Sequence, residues 1–281
     1  MATPPWKEIV SDTDDQHELS VVARLAAEAG TAVAMRWFEQ ADALQIEEKT
    51  GPRDLVSRAD RDAEQSIRSV LGKLRPDDGV LGEECGVSAG VSGVQWAVDP
   101  IDGTTNYLYG RSDWSVSVAA VRQSDRRVLA GAVAEPVLGR VTVASAGGGI
   151  HGSARSTAAQ GQSRCLSEAL IELNLGREEQ KAQAGRMVAA LVPHVRDVRR
   201  GGSAACALAQ VATGRADAVW APGLQPWDCA AGVLLVLESG GVVGDLRGMT
   251  DTWPASGDVL AATGHTLWNQ LRDLLAPVYG G

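Results

Sequence analysis

Four acidic residues end apolar runs or open helical ones: Glu83 in VLGEE, Asp99 and Asp102 in WAVDPIDGTTN, and Asp228 in PWDCAAG. Carboxylates so placed project from a rigid scaffold into a shared crevice, and if they converge each is strongly destabilised as an isolated anion. A hard divalent cation removes that cost, and Mg²⁺ favours oxygen ligands while keeping several waters. Gly103 and Thr104 add a second ingredient. Glycine permits close backbone approach, and DGTTN is a helix start with Asp102 or Thr104 as its cap. Free N–H groups at such a start suit a phosphate. Metals beside an anion site describe phosphoryl transfer or hydrolysis, in which two metals activate the attacking water and stabilise the leaving oxygen. Taken singly, each acid reads as a cap or a surface residue. Two acids spaced by Pro100-Ile101 after a buried strand are harder to explain that way.

The elements that must position these residues follow from periodicity. Leu19, Val22, Ala26, Ala29, Val33 and Trp37 recur at three- and four-residue steps, which predicts an amphipathic helix over 17–40. Ala63, Ile67, Val70, Leu71 and Leu74 predict a second over 59–74. Strands are expected at VLGEE, at VQWAVDP ending on Asp99, and at 114–121, 128–134 and 140–144, the last three antiparallel because their turns are short. The Gly/Ser/Ala-rich stretch 147–162 is expected to be a junction or long loop. Beyond it strands (170–173, 195–198, 217–220, 258–262) alternate with helices (178–191, 203–213, 228–238, 267–275), the pattern of layered α/β structure.

Composition narrows the functional classes. The 281 residues suit one large domain or two fused ones, and 44% hydrophobic with 22% charged residues is ordinary for a globular protein. The net charge of -9 argues against a general nucleic-acid binder. Arg196, Arg199 and Arg200 form the densest basic group, read as a solvated strand edge or a phosphate-facing rim. The four cysteines show no CxxC spacing, and no His-rich or Cys-rich set competes with the carboxylates, which argues against zinc and copper. No apolar run approaches the ~20 residues a bilayer span needs. MATPPWKEIVSDTDD lacks the basic and apolar regions of a secretory signal, so a cytoplasmic protein with reduced thiols is expected.

DPIDGTTN, with GEE upstream and WDCAAG downstream, resembles the inositol monophosphatase family, part of the lithium-sensitive, Mg²⁺-dependent phosphatase superfamily that includes fructose-1,6-bisphosphatases and phosphoadenosine-phosphate phosphatases. KTGPRDLVSRAD, LGEECG, WAVDPIDGTTNYLYG, RRGGSAACALAQVATGRADAVW and WDCAAGVLLVLESGG occur in family order across almost the whole chain. The resemblance implies an α/β fold, layered as an α-β-α-β-α sandwich. Residues 1–146 would form an N-terminal α+β half carrying most metal ligands, and 147–281 a C-terminal α/β half completing the site. It also implies two to three Mg²⁺ per active site and a homodimer. Glu83, Asp99 and the carbonyl of Ile101 would hold the first metal; Asp99, Asp102 and Asp228 the second; Glu83 a third, weaker one through waters. Thr104, hydrogen-bonded to Asp60, would orient and deprotonate the attacking water. The N–H groups of Gly103 and Thr104 would grip the phosphate, leaving Cys85 and Cys229 as packing residues beside the site. Glu84 would support the ligands from behind, and Lys49 and Asp54 fall where the family has residues near the site.

One position breaks the pattern. Inositol-processing members carry a glutamate seven residues before the last metal-ligating aspartate, accepting bonds from substrate hydroxyls; here it is Ala221. A missing acceptor could cost ~1–3 kcal/mol of recognition. Gln225 is a candidate to supply the contact. The turn Gly202-Ser203-Ala204 matches the family's GTA-like turn and would meet a substrate hydroxyl through its backbone. The default substrate is inositol 1-phosphate. Histidinol phosphate, fructose 1,6-bisphosphate (with Arg199 and Arg200 for its second phosphate) and a phosphoadenosine (with Trp220 to stack on) are alternatives. Some bacterial relatives bind the transcription machinery, so an interaction protein with residual phosphatase activity is the competing class.

Overall fold

Two apolar runs, 115–121 and 128–135, are buried at every position. A strand needs that only when structure covers both its faces. The computed structural model describes residues 12–40, 46–51, 54–152, 165–176 and 180–279. The chain opens with α1 (Asp12–Phe38), a hairpin of β1 (Ile46–Gly51) and β2 (Asp54–Ser57), and α2 (Arg58–Leu74). Then come β3 (Gly79–Gly82), β4 (Gly86–Ser88), β5 (Val94–Asp102), the short α3 (Thr104–Leu108), β6 (Ser115–Arg122), β7 (Val128–Glu135), β8 (Arg140–Ser145) and β9 (Gly149–Gly152). The rest runs β10 (Leu170–Leu173), α4 (Lys181–Leu191), β11 (Asp197–Arg199), α5 (Ala204–Ala212), β12 (Ala218–Ala221), α6 (Pro226–Glu238), β13 (Val242–Asp245), β14 (Gly248–Thr250), β15 (Val259–Ala262) and α7 (His265–Tyr279).

Strands β3 to β9 form a seven-stranded sheet of order β4-β3-β5-β6-β7-β8-β9, antiparallel except for β3 with β5. The later strands form a six-stranded sheet of order β11-β10-β12-β15-β13-β14. Three buried clusters then define the layers. Leu19, Ala23 and Ala26 of α1 and Ala63, Ile67 and Leu71 of α2 pack on Val116, Val118 and Ala120 of β6. Ala119 and Val121, the intervening positions, face a second cluster with α5, α6 and the inner face of the six-stranded sheet (Val219, Val243, Ala261). Period-2 alternation thus sends one strand's side chains into two cores. On the far side, Met187 and Leu191 of α4 and Leu267, Leu271 and Leu275 of α7 cover Trp220, Leu260 and Ala262. The stacking is helix, sheet, helix, sheet, helix, as the resemblance implies.

Some boundaries differ from expectation. Within the stretch 147–162, residues 149–152 form β9, which pairs with β8; residues 153–164 lie outside the described part. The helix expected from 178 begins at Lys181, with 177–179 outside the described part. The strand expected to stop at Asp99 continues to Asp102.

Candidate active site

In a regular strand, residues three apart point to opposite faces. Asp99 pairs with Ser117 and Asp102 with Ser115, so β5 spends three steps where β6 spends two. This is a bulge with one extra residue, and it corrects the parity so that both carboxylates reach one side. Pro100 sits inside it, where its missing N–H breaks no ladder bond. The N–H of Ile101 donates to Asp99 Oδ1 at 3.0 Å and fixes that carboxylate.

The next residue corrects the expected cap. Gly103 itself is the N-cap of α3, at φ 92° and with no side-chain cap bond. That left-handed conformation favours glycine, and a Cβ would lie 3.1 Å from the Asp113 carbonyl oxygen. Asp102 is engaged elsewhere. Its Oδ2 accepts the Ser203 hydroxyl at 2.5 Å and the Ala205 N–H at 2.7 Å. Ser203 also caps α5 by accepting the Cys206 N–H at 3.0 Å, and it shares a bond with the Ser115 hydroxyl. The turn Gly202-Ser203-Ala204 therefore lies at the site, with its serine hydroxyl spent on Asp102.

Asp228 is the third residue of α6. Gln225 and Asp228 form a capping box, with Pro226 in the first turn, and the Gln225 N–H donates to Asp228 Oδ2 at 2.7 Å. Gln225 is thus committed to the helix start that aims Asp228.

These three supports bring Asp99, Asp102 and Asp228 together, with one carboxylate oxygen from each lying within 4.8 Å of the others. Asp99 is 1% exposed. Its pKa is driven well above the ordinary carboxylate value, first by burial and then by the charges of Glu83, Asp102, Asp228 and Asp60. Burial lifts Asp102 to about 6 despite the bonds from Ser203 and Ala205. Asp228 rises to about 8, through burial and then the charge of Asp102. Such mutual repulsion in an all-oxygen donor set fits a hard cation.

The other expected residues surround this trio. Glu83 lies outside the tight group, but its charge ranks next after burial in raising Asp99. Asp60 is buried in the first turn of α2 and also acts on Asp99. The Thr104 hydroxyl donates to the Ile101 carbonyl at 3.2 Å. Lys49 and Asp54 have side chains outside the described part. Ala221 ends β12 and is fully buried in the central core. Trp220 is likewise sealed, edge-on to Tyr279, and offers no stacking face. Of the two cysteines expected to pack beside the site, Cys229 is buried, with burial holding its thiol well above the ordinary value. Cys85 is exposed.

Periodicity did not reveal the pocket of about 350 Å³ beside α3, lined by Thr105, Asn106, Tyr109, Arg111, Arg200 and Gly201. The Asn106 amide donates to the Gly201 carbonyl at 2.6 Å, tying α3 to the approach of α5. The two arginines separate here. Arg199 is paired with Asp197 on its own edge strand, whereas Arg200 lines the pocket.

A family model described as the inositol monophosphatase family matches residues 14–278. The chain belongs to the inositol monophosphatase family. Membership makes it a phosphoric monoester hydrolase and implies use of a divalent metal, for which the aspartate trio is the acidic cluster present. An inositol-1-monophosphatase of Mesorhizobium japonicum is 40% identical over 83% of this chain and 87% of its own length. A family relative from Pseudomonas aeruginosa called Nus factor SuhB is 36% identical over 83% of this chain and 87% of its own. The crystal structure of the extragenic suppressor protein suhB from Bartonella henselae superposes with a TM-score of 0.84, at 32% identity, over 92% of this chain and 98% of that one.

Proposed function

We propose that the protein is a Mg²⁺-dependent hydrolase of small phosphate monoesters, with inositol 1-phosphate as its default substrate. The observation that carries this is the convergence of Asp99, Asp102 and Asp228 within 4.8 Å in a chain of this family. Glu83, Asp99 and the Ile101 carbonyl would hold one cation, and Asp99, Asp102 and Asp228 another, with Asp99 between them; Glu83 would reach a third through waters. The Ile101 carbonyl has two lone pairs, so the bond from Thr104 leaves one for a cation. Bound Mg²⁺ would neutralise phosphate charge and acidify nearby water.

The chain's own groups supply the rest. The Thr104 hydroxyl, which donates to the Ile101 carbonyl here and not to Asp60 as the resemblance implies, would turn to the attacking water, orient it and relay its proton to the Asp60 carboxylate. The Gly103 and Thr104 N–H groups hold the phosphate oxygens. Water attacks phosphorus as the ester P–O bond breaks, with no phosphoenzyme, and the departing oxygen takes up a proton from solvent water to leave as the alcohol. The buried thiol of Cys229, already donating to the Gln225 carbonyl, takes no part. The two halves, 1–146 and 147–281, act as one unit, since Asp102 from the first is held by Ser203 from the second. The negative charge of the chain speaks against nucleic-acid partners, and the family resemblance supports a homodimer, which we place in the cytoplasm; no helix among the described residues is long and apolar enough to cross a membrane.

Phosphate release with Mg²⁺ and with chelator tests the reading, using inositol 1-phosphate, histidinol phosphate, fructose 1,6-bisphosphate, 3′-phosphoadenosine 5′-phosphate and glycerol 2-phosphate. Chelator-sensitive turnover is expected, strongest on inositol 1-phosphate. A preference for the bisphosphate would assign the second charge to the Arg200 pocket. The name of the Pseudomonas relative favours one other reading, an interaction partner of the transcription machinery with residual activity. Silence across the panel with no Mg²⁺ effect on melting would favour it.

A further inference from the structure

We propose that Glu64 and Arg68 are positioning residues that clamp the turn presenting Glu83 and thereby set the metal affinity of the site. The inference rests on reading the acidic cluster as a metal centre. Glu64 is 0% exposed in the middle of α2. A carboxylate so buried is tolerated only when its lone pairs are taken. Glu64 Oε2 accepts the Glu84 N–H at 2.8 Å, and the Cys85 N–H lies 3.3 Å from both carboxylate oxygens. Arg68 Nε donates to Oε1 at 2.6 Å.

Arg68 then reaches the other side of the same turn. Its Nη2 donates to the Gly86 carbonyl at 2.5 Å and its Nη1 to the Ser88 hydroxyl at 2.9 Å. One i,i+4 pair on α2 thus holds the N–H groups entering the turn and the acceptors leaving it. The turn, 83–85, joins β3 to β4, and Glu83 opens it. Gly82, just before, lies so close that a Cβ there would collide with the Glu64 carboxylate, so the clamp presses on backbone directly behind Glu83. Asp60 sits one helical turn before Glu64 and is buried on the same helix. A single rigid helix therefore spaces Asp60 from Glu83. Among the described residues the Glu64 carboxylate is engaged by Arg68 and by the Glu84 and Cys85 N–H groups, so its effect passes through Glu83.

The test compares wild type with Glu64→Gln and Arg68→Met. Calorimetric Mg²⁺ binding and the Mg²⁺-induced rise in Tm are measured alongside phosphate release. Gln keeps the shape but sets an NH₂ group against the Glu84 and Cys85 donors. Both variants are expected to bind Mg²⁺ about 10–100-fold more weakly. Turnover at saturating Mg²⁺ should stay within about threefold of wild type, a split that general loss of structure would not produce. Lower Tm with unchanged Mg²⁺ affinity would overturn the proposal. If Glu64→Gln does not fold, Arg68→Met, altered at the partly exposed end of the clamp, decides the matter by the same two readouts. Wild type that binds no Mg²⁺ would overturn the metal-centre reading and this inference with it; wild-type binding with unaltered variants would overturn this inference alone.

Discussion

The hydroxyl of Ser203 donates to Asp102 Oδ2 at 2.5 Å across 101 residues of sequence, and the same oxygen atom of Ser203 accepts the Cys206 N–H that opens α5. One side chain thus holds a member of the aspartate trio and caps a helix of the central layer. Ser203→Ala removes both bonds and should destabilise the protein by about 1–3 kcal/mol. Mg²⁺ affinity should weaken with it, whereas Ser203→Thr should restore both. Chemical denaturation with and without Mg²⁺ checks this; an alanine variant with unchanged metal response would show that Asp102 needs no such support.

Asp99 is the most buried member of the trio. Asp99→Asn replaces the carboxylate whose ionisation burial and the neighbouring acids oppose in the metal-free site. Metal-free protein should therefore gain a few degrees in Tm, while the Mg²⁺-induced rise disappears and turnover falls to background. Differential scanning calorimetry together with phosphate release reads both effects. Retained turnover would refute the bridging role.

The raised carboxylates also set a pH dependence. Asp102 titrates near 6 and Asp228 near 8 in the folded chain, against 3.8 ordinarily. Across that window the native state keeps protons that the unfolded chain has released. Stability of metal-free protein therefore falls as pH rises from about 4 to about 8. A drop of several degrees in Tm is expected between pH 5 and pH 8. Mg²⁺ should restore more at pH 8, since its ligands must be deprotonated. A flat profile in chelator would contradict this.

Ala221 invites replacement by the glutamate that the family resemblance leads one to expect at this position. The position is sealed at the end of β12, with Val259 paired to it across the sheet. Ala221→Glu should bury a carboxylate without a partner and cost several kcal/mol. Activity on inositol 1-phosphate should not rise. A stable variant with a higher kcat/KM would mean that the loop opens to make room for a substrate-facing acid.

Much of this arrangement was legible in the residues themselves. The antiparallel strands at 114–121, 128–134 and 140–144 and a helix opened by Asp228 were expected from pattern alone, although that helix begins two residues earlier, at Pro226. DPID told of two rigidly spaced acids, although the bulge that aligns them depends on the pairing with β6. What stayed hidden was long-range. Ser203 is an ordinary helix cap until the fold lays it on Asp102. Glu64 and Arg68 look like a surface i,i+4 pair until the turn after β3 closes over them. The burial of Ala221 follows from the packing of α5 and α6 between two sheets, which no local pattern reports.

The most direct test of the metal centre is a chelator-treated sample given inositol 1-phosphate and then titrated with Mg²⁺ while phosphate release is followed. The account predicts no turnover before the addition, turnover that saturates with Mg²⁺, and none at any Mg²⁺ concentration in Asp99→Asn. Turnover in chelator equal to that with Mg²⁺ would contradict it.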